Sequence, residues 1–235
     1  MKLTNKILFV FLILLVLSVT AYKIVFDSKV ELIPNPFDEK TYYVAKVFNI
    51  EDKVPDTFEL KGRFIVYLIH TDTLFVRIEG PDNLINKYMS VERQGNRFSI
   101  ASKIDLSKYS QFIKIFCFVN NLRSVKASGG AIISVKEFVG DSLDIMVEDS
   151  SIVKTTSCEY LNANILERDK AMVMMEKTKN ATVHLYNSSN LTLTLDGGEV
   201  SGIIEAETDF GLDGIVKKNN VERVKSNSKQ RGELK

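Results

Sequence analysis

Two aspartates twenty residues apart, Asp149 and Asp169, have the type and spacing for chemistry. If twenty residues make one lap of a coiled chain, they sit on neighbouring laps about 5 Å apart. Carboxylates that close can share a proton, or serve as acid and nucleophile on a sugar. Asp209 falls two laps further on, with Ser189 between. A polysaccharide-active enzyme using Asp149 and Asp169 is therefore one reading. The favoured reading is simpler: Asp bonds its own backbone in turns and collects at corners for that reason.

A second polar column is Asp144, Asn164 and His184. Each follows by one residue the apolar positions Leu143, Ala163 and Val183, so strand alternation points it outward. An Asp and a His in such a column could bind a metal or move a proton, but three outward polar residues also describe a solvated face. Met172, Met174 and Met175 could hold a soft metal; packing is the expected role, with Met172 in an apolar column. Cys117 alternates with Ile113, Ile115 and Val119 and belongs in a core. Cys158 lies about two laps away, roughly 10 Å along a stack, which is beyond disulfide reach. Two free thiols are expected. No catalytic, cofactor-binding or metal-binding residue is assigned, and no cofactor is expected.

The element that must position these residues is a repeat. Between Lys126 and Val216, Ile132, Ile152, Met172, Leu191 and Leu212 recur at 20, 20, 19 and 21 residues. Leu143, Ala163, Val183 and Ile203 recur at 20 each time, and Ile145, Ile165 and Leu185 form a third column. A fixed period with short alternating apolar runs, separated by Gly, Asp, Asn and Ser, marks stacked strands and turns. The expected fold is all-β: a parallel β-helix or solenoid with coils of about 20 residues, preceded by antiparallel strands. Thr57–Ile78 supplies three strand-like runs, Leu84–Val91 reads as a short helix or a strand, and Gln94-Gly95-Asn96 signals a hairpin. Gly211, Gly214 and Lys217-Lys218 would guard the last edge against pairing.

The ends differ in kind. Lys2 and Lys6 precede eleven unbroken apolar residues, Ile7–Leu17, and then Ser18-Val19-Thr20-Ala21. This is an export signal, or an uncleaved anchor over residues 7–26. Either reading sends everything after residue 26 across a membrane. Residues 27–44, with Pro34 and Pro36, form a linker. The domain spans 45–216. Residues 217–235 carry seven Lys/Arg, two Glu and few apolar groups, so a basic disordered tail is expected there.

The 235 residues carry a formal net charge of +1, which lacks the basic excess of a nucleic-acid binder. The nucleotide-binding glycine motifs, the nucleophile elbow and the His-Glu-x-x-His zinc motif do not occur. Two cysteines are too few for a disulfide framework or a zinc site.

Thr57-Phe-Glu-Leu-Lys-Gly-Arg-Phe-Ile-Val-Tyr-Leu68, Thr73-Leu-Phe-Val-Arg-Ile-Glu-Gly-Pro-Asp-Asn-Leu84, Gly95-Asn-Arg-Phe-Ser-Ile100 and the repeats from Ser128-Gly129-Gly130 resemble one family. It is the putative auto-transporter adhesin, head GIN domain family, and the resemblance covers about residues 45–216. The family's Ser-Gly turns survive at Ser128-Gly129-Gly130. Later turns read Asp149-Ser-Ser, Asp169-Lys-Ala, Asn187-Ser-Ser-Asn and Asp209-Phe-Gly. The resemblance implies a β-helical envelope or surface protein of bacteria and supplies no catalytic residues. The expected function is a non-enzymatic binding, adhesive or structural module of the cell envelope, with a glycan or an envelope protein as partner. An anchored envelope-stress sensor or scaffold is a further reading.

Overall fold

The computed structural model describes residues 43–50, 55–106 and 113–225. The expected signal or anchor (residues 1–26), the linker up to residue 42 and residues 226–235 lie outside the described residues. Among the described residues no helix is long and apolar enough to cross a membrane.

The described residues are almost wholly β. The strands are β1 (Tyr43–Asn49), β2 (Thr57–Lys61), β3 (Phe64–His70), β4 (Phe75–Pro81), β5 (Met89–Gln94), β6 (Arg97–Ser102), β7 (Ile113–Val119), β8 (Ser124–Ser128), β9 (Ile132–Lys136), β10 (Val139–Val147), β11 (Ile152–Thr156), β12 (Glu159–Glu167), β13 (Met172–Leu185), β14 (Asn190–Glu205) and β15 (Asp209–Val224). One helix, α1 (Asp82–Tyr88), joins β4 to β5. It buries Leu84 and Ile85.

From β8 onward the chain winds as a parallel solenoid of about five coils. Each coil contributes to two stacks. The first sheet runs β6, β2, β8, β10, β12 and then the second halves of β13, β14 and β15. The second sheet runs β7, β3, β9, β11 and then the first halves of β13, β14 and β15.

The antiparallel strands are where the sequence expects them, near the start, and they close one end of the stack. β5 pairs antiparallel with β6; β4 pairs antiparallel with β7, and β1 with β4. The first strong runs, β2 and β3, are not antiparallel. They form a coil of their own, inserted between β6/β7 and β8/β9 by parallel pairing on both sides. This places Ile65 beside Ile132, 67 residues later.

Coil length varies, and this corrects the columns read from a strict period. Leu143 pairs with Ala163 twenty residues on, but Ala163 pairs with Ala181, not Val183. Val183 stands between Ile165 and Gly202. Ile203 pairs with His184 and sits outside the core. The inward ladders of the first sheet are Leu143–Ala163–Ala181–Val200, Ile145–Ile165–Val183–Gly202 and Val147–Glu167–Leu185–Ile204. The cause is a corner. Ser157–Tyr160 makes a turn between β11 and β12, whereas Lys177–Thr178 crosses the same corner two residues shorter, and β13 runs on as one strand. The buried Thr178 hydroxyl fills that corner, 3.2 Å from the Tyr160 carbonyl and 3.1 Å from that of Asn180. A shortening by two keeps the alternation, so the same parity still faces in. Gly202 fits only because it lacks a side chain: a Cβ there would lie 1.9 Å from the Val183 carbonyl oxygen.

In the second sheet the inward column is Ile133, Val153, Val173 and Leu191, buried, and then the half-buried Phe210; of the residues read as one column, Leu191 and Leu212 have this inward parity, whereas Ile132, Ile152 and Met172 do not. Ile132 is 39% exposed, and Ile152 and Met172 are half-buried on the outer side. These strands carry apolar residues at both parities, so alternation could not choose between them.

The tail is also corrected. β15 continues to Val224, eight residues beyond the expected boundary, pairing with the second half of β14 through Val224↔Glu205. Its Lys- and Asn-rich stretch buries no face; backbone pairing with β14 holds it in place.

Candidate binding face

The outer side of the first sheet is built from three outward columns. Alternation sets them: with Leu143, Ile145 and Val147 buried, residues 144, 146 and 148 must point to solvent. The first column is Ser124, Asp144, Asn164, Thr182 and Ser201. The second is Lys126, Met146, Leu166, His184 and Ile203. Beside them, Arg168 reaches Glu148 at 3.6 Å and lies 6.0 Å from the Tyr186 ring.

These columns border an open depression of about 300 Å³, lined chiefly by Lys126, Asp144, Met146, Asn164, Leu166 and His184. One flank is a hydrogen-bonded ladder: Asn164 Nδ2 donates to Asp144 Oδ1 at 2.7 Å. A further outward pair continues it, with Asn180 Nδ2 donating to Asn162 Oδ1 at 3.2 Å. The floor is the apolar pair Met146 and Leu166, both half-buried. Lys126 closes one end, held 3.2 Å from Glu59 Oε1. Burial pushes the Glu59 carboxyl up, but Arg97 and Lys126 outweigh it and hold it below the usual range. Lys126 thus presents a cation already paired on its far side.

The structure brings Asp144 and Asn164 together as the sequence suggests, but not with His184. Thr182 takes the third place in their column, and His184 stands in the neighbouring column beside Leu166. Two strand spacings plus two residues along the strand separate Asp144 from His184, roughly 12 Å. An Asp–His proton relay or a shared metal site is not formed. Among the described residues no three His, Cys, Asp or Glu side chains cluster as metal ligands would.

Asp149 and Asp169 sit on adjacent coils at exposed corners, both at φ 54°. Each opens a two-residue left-handed corner, Asp149-Ser150 and Asp169-Lys170, matched by Gly129-Gly130 and Asn187-Ser188. Asp tolerates that backbone region better than most residues. Asp169 Oδ1 accepts from Asn187 Nδ2 at 2.9 Å. Neither carboxylate lines the depression. Asp209 does not continue this column: it opens β15 beside Asn190. Ser189 points inward, in the ladder of small residues with Ala131, Ser151 and Ala171.

Met175 is buried and Met174 is exposed, on opposite sides of one strand. Cys117 and Cys158 are free and buried, and burial pushes both thiols up, away from thiolate reactivity.

Sequence reasoning missed Lys126, Met146 and Leu166. Their signal was present, because each shares the parity of Asp144 and Asn164, but coil register was needed to line them up. It also missed Glu167, which is fully buried with neither carboxylate oxygen hydrogen-bonded. Nothing in the local pattern, Asn164-Ile165-Leu166-Glu167, marks it as inward except its step of two from Ile165.

No curated protein matches the chain. Among solved structures, it is similar to a putative adhesin from Bacteroides fragilis, with TM-score 0.57, 15% identity, and coverage of 78% of this chain and 97% of that one. It is also similar to a putative lipid binding protein from Parabacteroides distasonis, with TM-score 0.47, 12% identity, and coverage of 78% and 98%. At these identities the first shows a shared fold and nothing finer. Residues 55–233 match the family described as putative auto-transporter adhesin, head GIN domain, and the chain belongs to that family.

Proposed function

We propose that this chain is a non-enzymatic binding module of the bacterial cell envelope, and that the outer face of its first sheet holds a polar polymer, a glycan in the first instance. The observation that carries this reading is the open depression of about 300 Å³ with its Asp144–Asn164 ladder beside an apolar floor. Amide and carboxylate groups repeated at strand spacing match repeated hydroxyls, and Met146 and Leu166 match the apolar faces of sugar rings. Export rests on residues 1–26, and retention of residues 7–26 would hold the module at the membrane.

The polysaccharide-active alternative would need Asp149 and Asp169 in a cleft. Their place at exposed corners supports a turn role instead. The anchored sensor or scaffold depends on the N-terminus, and a mature chain starting at Tyr22 by mass spectrometry would end it.

The test is a binding screen of the exported chain against envelope polysaccharides, with Asp144→Ala and Leu166→Asp beside the parent. Either change should weaken a genuine ligand by about tenfold. A ligand bound equally well by all three proteins would move the site elsewhere.

A further inference from the structure

The outward column of the first sheet that runs from Ser124 to Ser201 is longer than the depression it borders. It continues to Thr57 on β2 at one end and to Asn220 on β15 at the other. Every position between is Ser, Thr, Asn or Asp, and each lies at the surface. Six strand spacings separate Thr57 from Asn220, which is about 29 Å. The column beside it is mixed, passing from Glu59 and Lys126 through Met146 and Leu166 to His184 and Ile203. Solvation alone does not demand the uniformity of the first column, as the second one shows.

The regularity runs across the strands and not along them. On β10 the outward groups are Ser142, Asp144 and Met146, and on β12 they are Asn162, Asn164 and Leu166. A linear ligand laid along a strand would meet polar, polar and apolar groups in turn. Laid along the stack, it keeps one edge over the ladder and rests its flat side on Met146 and Leu166. That suits a ribbon with hydroxyls on its edges and C–H groups on its faces. Pyranose rings joined through equatorial positions make such a ribbon. Each ring advances the chain by about one strand spacing, roughly 5 Å, so successive rings meet successive rungs. A chain joined through axial positions winds, and its hydroxyls leave the ladder within a few rings.

Charge narrows the ligand further. Along the ladder from Thr57 to Asn220 the one charged residue is Asp144, already bonded to Asn164. In the column beside it the one Lys or Arg is Lys126, paired with Glu59 at 3.2 Å. A polyanion would meet Asp144 and find no unpaired lysine or arginine in either column. A polycation would find a single carboxylate along the whole ladder.

We infer that the ladder is the track of an extended, uncharged glycan with equatorial linkages, lying across the strands with one sugar ring to each coil. This rests on the reading of the first sheet's outer face as a glycan-binding surface, and adds to it the direction, linkage and charge of the ligand. The depression is the middle of the track, where Met146 and Leu166 take the ring faces. Thr57, Ser201 and Asn220 extend the grip beyond it.

The test measures, by calorimetry, the affinity of the full chain in a sugar-free mild detergent for cello-, manno- and chito-oligosaccharides from dimer to heptamer. Maltoheptaose supplies the axial linkage, and a β-linked mannuronate heptamer supplies the charge. In at least one of the uncharged β-linked series affinity should rise about tenfold from trimer to hexamer and then level off. Maltoheptaose and the mannuronate heptamer should bind at least about tenfold more weakly than the best heptamer. Ser201→Val with Asn220→Val removes one end of the ladder and leaves the depression alone. It should weaken the heptamer about fivefold and keep the trimer within about twofold of the parent. Asn164→Ala, in the middle, should weaken both. Thermal melting checks that each variant is folded, and the length series on the parent needs no variant. Affinity that is flat beyond the dimer overturns the inference and leaves a site for a chain end. Equal binding of maltoheptaose or of the mannuronate heptamer also overturns it, as does a folded double variant that holds the heptamer as the parent does. If none of the uncharged β-linked series binds while another envelope polysaccharide does, this inference fails and the broader reading of the face stands. If no polysaccharide binds, both fail.

Discussion

The two sheets of this solenoid share one core, one set of coils and nearly the same strand spacing, yet their outer sides differ. The first presents Asp144, Asn164, Thr182 and Ser201 in a column, with Met146 and Leu166 recessed beside them. The second presents isoleucines, methionines and stacked aromatic pairs over its first strands and polar residues over its last. A backbone scaffold that needs only its inner side to be apolar leaves the outer side free for selection to write on. That freedom is the physical reason a solenoid suits binding: the core sets the ladder, and each outer side can carry a separate surface.

The sheets are also unequal inside, and the largest predicted effect lies there. Glu167 stands in the inward column of the first sheet between Val147 and Leu185, whereas the second sheet's inward positions are uncharged there. Burial pushes its carboxyl up to about 9; the Asn190 amide opposes this without meeting hydrogen-bond geometry. A folded value above the unfolded one means the stability is fully present below about 4.5 and is lost as pH rises toward about 9. The parent should therefore lose on the order of a few kcal/mol between pH 5 and pH 9 relative to Glu167→Gln. Denaturant titration at the two values would show it, and parallel pH profiles would mean the carboxylate is solvated.

The next effect separates inside from outside within the second sheet. Ile133→Ala removes a buried side chain and should cost about 3 kcal/mol. Ile132→Ala, one residue away on the outer side, should cost under about 1 kcal/mol in the monomer. Equal losses would mean that the outer side is covered within a single chain, and the contrast between the sheets would fail.

The smallest effect concerns the corner that both sheets share. Asp149→Gly should leave stability unchanged or raise it by up to about 1 kcal/mol, because φ 54° suits glycine. It should leave polymer binding at the polar face intact. Loss of polysaccharide turnover in this variant, at unchanged stability, would instead give the corner a catalytic role.

Much of the fold was legible in the residues. Alternation in Ile113–Val119 put Cys117 in the core, the Gln94-Gly95-Asn96 signal became the β5–β6 hairpin, and the recurring apolar positions became stacked coils. Asp144 beside Asn164 was also visible, because one full coil of twenty separates them without a slip. Val183, Ile203 and His184 were misplaced for one reason. A corner two residues shorter, at Lys177–Thr178, shifts everything after it, and nothing local to Thr178 announces the change. The second sheet's column was misread for another. Ile132-Ile133 and Ile152-Val153 are apolar at both parities, so the pattern holds no sign of which residue faces in.

The sequence by itself determined the class of fold, the coil size and the family, because hydrophobic alternation and a repeated lap length are properties of the chain read in order. Tertiary structure decided the register between coils, the insertion of the β2–β3 coil between later strands and the side of each strand that meets water. Those depend on how corners of unequal length bring distant strands level, and that balance is struck only when the coils stack.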